Sequence, residues 1–348
     1  MTSKRGILLA NLGSPCSASV PDVRRYLREF LMDERVIDYP FLLRWIIIHC
    51  FVLPTRPHRS AEAYRRIWTD EGSPLVASSR RLHGILQKEL DLPVVLGMRY
   101  GEPSILSALK ELRTKVPDLE EILLMPLYPH YAMASYETVV AKARKELDVL
   151  GWRIRLTVLP PFYNQEIYLN AMESVLRPAL EDPWDHLLFS YHGIPLRHIK
   201  RADCSASHCL LDPACCTTPA AAHATCYRHQ SLHTTETLAL RLGLRPGTYS
   251  SSFQSRFGRE AWCTPYTDQE LIRLAASGVR RLVVLCPAFV TDCLETLEEI
   301  GMAGKESFLE HGGESFKLVP CLNEHPKWIE ALRAWALHFP DNWMRVAP

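Results

Sequence analysis

The chain predicts an α/β fold with doubly wound parallel sheets, arranged as two domains with a cleft between them. Three observations predict it. Short apolar runs alternate with longer amphipathic stretches, as strand–helix–strand units require. Several runs, such as EILLMPL at 121–127 and RLVVLCP at 281–287, are apolar without alternation. That marks strands covered on both faces. Eight such strands are many for one sheet of a 348-residue chain. Two halves of about four strands each fit better.

The strands are expected at 6–11, 94–98, 121–127, 154–159, 186–191, 248–254, 281–286 and 316–319. Amphipathic helical stretches lie at 60–68, 75–90, 104–116, 136–150, 234–242 and 294–308. The opening MTSKRGILLANLGSPCSAS imitates a signal peptide, but its apolar part is only 7–12, so a first buried strand explains it better. Paired prolines end regular structure, which puts the seam at Pro160-Pro161. Domains of 1–160 and 161–348 follow, the last helix being free to pack back on the first. One compositional break interrupts the second, an insert at 201–233 rich in Cys and His and without strand pattern.

Hydrophobic residues make up 47% and charged residues 23%, which excludes global disorder. Lys and Arg number 40 against 39 Asp and Glu, a net charge of +1. That balance gives no electrostatic case for nucleic acid as a partner. Eleven cysteines, an odd number without a credible secretion signal, argue for a reducing, cytoplasmic setting and for thiols or metal ligands. The segment FLLRWIIIHCFVL at 41–53 is too short to cross a bilayer. Two readings stay open for it: a buried helix, or an apolar lip touching a membrane surface or a greasy ligand.

In open α/β sheets ligands sit beyond the carboxyl ends of the strands. His192 stands at such an end, between FSY and Gly-Ile-Pro; it either caps a carbonyl there or serves as a base. After the seventh strand, TDCLETLEEIG places Asp292, Glu295 and Glu299 at helical spacing on one face, with Glu298 off the row. Such a row is either the acidic opening of a helix, favoured by its dipole, or a chain of carboxylates near a cation or a proton path. Tyr128, Tyr131, Phe253, Phe257, Trp262, Tyr266 and Phe289 gather at the same strand ends, as core packing or as walls for a flat apolar ligand. Arg56, Arg99 and Arg256 are candidates for acidic groups at its rim, or for surface pairing. Nucleotide chemistry is disfavoured, since the Asn-Leu-Gly-Ser-Pro turn carries one glycine where the dinucleotide motif carries three.

The insert is the second strong signal. Cys204, Cys209, Cys215, Cys216 and Cys226 exceed what packing needs, and clustered thiolates point to metal. No paired Cys-x-x-Cys knuckle supports zinc. Adjacent Cys215 and Cys216 sit more easily on a two-iron cluster than on one tetrahedral ion. Zinc and unligated cysteines remain the alternatives.

Along nearly its whole length the sequence resembles the ferrochelatases. The matching pieces are GILLANLGSP at 6–15, RPHRSAEAYRRIW at 56–68 with GSP at 72–74, GMRYGEPSI at 97–105, MPLYPHY at 125–131, SYHGIP at 190–195, SSFQSRFG from 251 with the following W, P and TD up to 268, and CPAFVTDCLETLEEI at 286–300. The resemblance implies two Rossmann-like domains around a porphyrin cleft, and a lyase that inserts Fe²⁺ into protoporphyrin IX with loss of two protons. It implies that His192 is the proton acceptor or metal ligand, partnered by Glu295, with Asp292 and Glu299 moving protons or metal. Leu12, Arg56, Ser73, Arg99, Tyr100 and Tyr128 fall on porphyrin-contact positions, and Trp262 and Phe289 on cleft aromatics. Some members carry His where this chain has Cys293. Others carry a [2Fe-2S] cluster with most ligands in a C-terminal tail, whereas this chain has no cysteine beyond Cys321. The insert instead looks like a bacterial variant with internal ligands, Cys209, Cys215, Cys216 and Cys226, with Cys204 as the substitute. The 41–53 segment would be the cleft's lip, resting on the inner face of the cytoplasmic membrane. Two other readings are carried: a chelatase for coproporphyrin or sirohydrochlorin, and a non-catalytic haem or metal carrier.

Overall fold

The computed structural model describes residues 4–258, 260–338 and 343–346. Its strands are β1 (Arg5–Gly13), β2 (Val94–Tyr100), β3 (Glu121–Pro126), β4 (Arg155–Val158), β5 (His186–His192), β6 (Tyr249–Gln254), β7 (Arg281–Leu285), β8 (Ser315–Leu318) and β9 (Met344–Val346). Each of the eight expected segments holds a strand. The short β9 has no antecedent in the pattern, because three residues are too few to carry a period.

The chain divides into two units. The first runs to Tyr128 and adds Met133–Pro160 and the residues from Ile329 onward; the second is Pro129–Ala132 and Pro161–Trp328. The first unit's sheet has the order β2-β1-β3-β4-β9, with β9 antiparallel to β4. Its central strands lie under helices, which is why β1 and β3 read as unbroken apolar runs. Ser104 ends one connection as an N-cap, its hydroxyl taking the Ser107 N–H at the start of the helix Ile105–Lys115.

The second unit's sheet is wholly parallel, in the order β6-β5-β7-β8. On one side Leu188, Leu271, Leu274, Leu282, Val284 and Phe308 form a core. Phe308 is fully buried there. Phe308→Ala is expected to cost about 3–5 kcal/mol, the usual range for emptying a buried aromatic site. Urea unfolding checks this; a loss under about 1 kcal/mol would mean the core closes over the cavity.

Three helical stretches depart from the expected α geometry, one of them Met133–Glu137 ahead of the helix Thr138–Val149. The stretch after β7 is π-helical over Glu295–Gly304 and becomes α-helical only at Lys305–Glu310. The 41–53 segment is α-helical over Phe41–Ile46 and π-helical over Ile47–Val52. Its buried-helix reading is overturned, because Phe41 (65%), Leu42 (69%) and Phe51 (70%) are exposed, as are Leu43, Trp45 and Ile46. Arg44, which an interface would place at headgroup level, is buried instead and donates to the carbonyls of Ile37 and Tyr39. Among the described residues no helix is long and apolar enough to cross a membrane.

Candidate active site

In the second unit the histidine ends β5 and the acids follow β7, its neighbour in the sheet. His192 closes β5 and is half-buried. Its Nδ1 lies 2.6 Å from the Gly193 carbonyl. A carbonyl only accepts, so the neutral ring carries its proton on Nδ1 and its lone pair on Nε2. Gly193 is required there: a Cβ would stand 2.8 Å from the Gln254 carbonyl, into which the Gly193 N–H donates. The Phe289 ring lies across from the imidazole at 6.3 Å. Trp262, bridged to Pro195, has a buried indole N–H with no hydrogen-bond partner.

Gln254, at a strand end where the sequence directs attention without giving it a role, links the His192 strand to the Glu295 backbone. It is the register partner of His192, and its amide donates to the Glu295 carbonyl at 2.8 Å. Its own oxygen accepts from Ser190 at 2.8 Å, which fixes the amide's orientation. Next along, Ser255 adopts a left-handed backbone (φ 67) and its hydroxyl donates to the Glu299 carboxylate. A non-glycine residue held at positive φ costs free energy, and such residues gather at functional sites. Residue type gave neither a role, since both signals need the partner strand or helix.

The expected row of three carboxylates is altered. Glu295 and Glu299 share a face of the π-helix, whose wider turn nearly overlays residues four apart. Asp292 precedes that helix and lies in the loop, which corrects its placement on the helical face. Its carboxylate accepts from the Asn323 amide (2.7 Å), the Cys321 N–H (3.2 Å) and Thr296 (3.4 Å). Three buried thiols lie beneath. Burial pushes Cys286 up, helped by Asp292 and Glu299. Burial and then Glu295 do the same to Cys293, and burial and then Asp292 to Cys321. Arg256 pairs with Asp268 at the surface and stacks on Tyr266.

In the first unit, Leu12, Arg99, Tyr100 and Tyr128 stand at or just past the carboxyl ends of β1, β2 and β3. Gly13 pairs with Tyr100 in register; at φ 98, its missing Cβ would lie 1.8 Å from the Tyr100 carbonyl oxygen. Arg99 and Tyr100 already have partners. The Arg99 guanidinium pairs with Asp33 and donates to Thr138, while the fully buried Tyr100 donates to Asp33 at 2.9 Å. Burial would raise the Asp33 carboxyl, but Thr138, the Arg35 N–H and Arg99 together outweigh it and hold the group ionised. The buried Tyr128 hydroxyl has no partner. Ser73 caps the helix Pro74–Glu89 through its backbone, and Arg56 opens the helix Arg56–Ile67.

The insert's thiols separate into two kinds. Cys204 is exposed, while Cys209, Cys215, Cys216 and Cys226 are buried. Cys216 beside it, the His229 N–H and Cys209 bring the Cys226 thiol down to about 6 despite its burial. Burial, with Cys226 beside it, pushes Cys209 up to about 12. Backbone N–H groups of Leu210 and His229 reach the sulfurs of Cys215 (3.4 Å) and Cys226 (3.5 Å). Among the described residues no group of three or more His, Cys, Asp or Glu side chains is arranged to hold a metal ion.

A family model described as Ferrochelatase matches residues 4–338. The ferrochelatase of Opitutus terrae is 52% identical over 339 residues, covering 95% of this chain and 97% of that protein. That of Ectopseudomonas mendocina is 51% identical over 337 residues, covering 96% and 98%. Among solved structures, SirB from Bacillus subtilis with Fe³⁺ aligns at a TM-score of 0.53 and 11% identity, over 96% of this chain and 95% of that one. At that identity the likeness concerns the fold alone. A family model matching almost end to end, and about half of all residues shared with each of two named relatives over nearly the whole of both chains, settle the family: the chain belongs to the ferrochelatase family.

Proposed function

We propose that the chain inserts Fe²⁺ into protoporphyrin IX to give protohaem, with His192 accepting a pyrrole proton. Family membership makes it an enzyme, a metal-chelating lyase. The observation that carries the residue assignment is the tie from His192 through its register partner Gln254 to Glu295. A planar porphyrin points four nitrogens inward and two carry protons, so iron enters only as both protons leave. The Nε2 lone pair of His192 suits that transfer, and an imidazole accepts protons near neutrality. Glu295 takes the charge onward, and Glu299, whose carboxylate accepts from the Ser255 hydroxyl, continues the path. Asp292 braces the loop that carries them. Trp262 and Phe289 supply apolar faces, and the orphaned Trp262 N–H is a donor awaiting an acceptor. Leu12, Arg56, Ser73 and Tyr128 are assigned to the macrocycle, with Arg99 and Tyr100 as the layer that fixes them. The test is turnover with Fe²⁺ and three tetrapyrroles. Protoporphyrin IX is expected to be metallated fastest; faster turnover of coproporphyrin or sirohydrochlorin overturns the substrate, and stoichiometric binding without turnover overturns the enzyme.

The four buried cysteines of the insert fit a [2Fe-2S] cluster in donor chemistry, being soft, with N–H donors serving the sulfurs of Cys215 and Cys226. Cys209, Cys215, Cys216 and Cys226 would hold it, and exposed Cys204 is set aside. Bound there, such a cluster supplies a one-electron couple and a staple for a segment lacking regular structure.

The 41–53 segment is assigned to contact with the inner face of the cytoplasmic membrane. Its exposed Phe41, Leu42, Trp45 and Phe51 support this. Replacing Phe41, Leu42 and Phe51 by Ser should reduce liposome pelleting by at least about tenfold, from the apolar area withdrawn. Unchanged pelleting would remove the membrane from the reading.

A further inference from the structure

Four histidines of the insert and the helix after it take no part in the proposed reaction, and three of them converge on two consecutive peptide carbonyls. His208 Nε2 (2.7 Å) and His223 Nε2 (2.8 Å) both reach the Cys215 carbonyl, and His229 Nδ1 reaches that of Cys216 at 2.6 Å. Because a carbonyl can only accept, each ring donates from the nitrogen named. The rings brace one another: His223 and His229 stack at 3.6 Å and 10°, and His208 meets His223 edge-on at 5.3 Å. The Gln230 amide donates to the carbonyls of His223 and Ala224, which anchors the clamp to the helix Tyr227–Arg241.

The backbone explains why such donors are needed. Residues 203–220 form neither strand nor helix, so the carbonyls of Cys215 and Cys216 have no ladder to pair with. On the opposite side of the loop, the Leu210 N–H turns to the Cys215 sulfur. The adjacent-cysteine turn is thus held through its oxygens by imidazoles and through a sulfur by a peptide.

We infer that His208, His223 and His229 are positioning residues, a clamp that presets Cys215 and Cys216 for the iron–sulfur cluster. The inference rests on reading the four thiols as the cluster site and adds the part that sets the cluster's lifetime and spectrum. The three imidazoles bond to peptide oxygens and not to thiols, so these side chains act through the placement of the cysteines; the one clamp contact to sulfur is the His229 backbone N–H to Cys226.

The test uses the full chain, reconstituted anaerobically with Fe²⁺ and sulfide. Iron and sulfide per chain, visible circular dichroism and the half-life of visible absorption under EDTA are read. The H208L/H223L double variant should bleach about tenfold faster than the parent and show altered visible dichroism, in line with the usual effect of removing groups behind metal ligands. The H208Q/H223Q pair, which keeps an N–H near each lost one, should recover most of the parent lifetime. It also decides the matter where the leucine chain fails to fold. Leucine variants that match the parent overturn the clamp, as do glutamine variants that bleach as fast as folded leucine ones. A parent that takes up neither iron nor sulfide overturns the cluster reading itself; a loaded parent with unchanged variants overturns the clamp alone.

Discussion

His192→Ala should lower kcat for iron insertion by about 10²–10⁴-fold, the range a positioned general base contributes. Porphyrin affinity should change little, because the ring's packing neighbour Phe289 and the unpartnered Trp262 remain. Steady-state metallation, read beside porphyrin fluorescence quenching, separates the two effects. The Glu295→Gln variant should fall in the same direction by a smaller factor, since Gln254 holds Glu295 through its backbone carbonyl and that contact survives the change. If His192→Ala metallates within about threefold of the parent while still binding porphyrin, the proton acceptor is another group.

Cys226→Ser should strip the insert of iron. Cys226 lies beside Cys216 and Cys209, and its sulfur caps the helix Tyr227–Arg241. Oxygen in its place removes the soft donor at the centre of the set. Iron and sulfide in the reconstituted chain should drop to about a tenth of the parent or less, since structural metal binding and local folding are coupled. Cys204→Ser, at an exposed thiol outside the set, should leave both unchanged. Equal loading of Cys226→Ser and the parent would remove Cys226 from the ligands; loss on Cys204→Ser would return Cys204 to them.

Much of this molecule could be read from consecutive residues. EILLMPL and RLVVLCP announce covered parallel strands, and each does become one, because burial on two faces is written into every residue of such a run. His192 was legible as a strand-end residue for the same reason. The spacing of Asp292, Glu295 and Glu299 was legible too, but its geometry was not. The pattern assumes α-helical turns, and the segment winds as a π-helix with Asp292 outside it. The apolar character of 41–53 was plain, yet composition alone could not say that Arg44 turns inward while Phe41, Leu42 and Phe51 face out.

By itself the sequence determined the alternation of strands and helices, the candidate base and acids, and the cluster of thiols, since each is a property of residue type and short-range order. The tertiary structure decided which groups touch. Asp33 meets Arg99 across 66 residues, Gln254 meets Glu295 across 41, and Asp292 is held by Asn323 across 31. Hydrogen bonds of that range depend on register and on how the chain returns to a sheet edge. No window of neighbouring residues encodes either, because both arise only once the strands have paired.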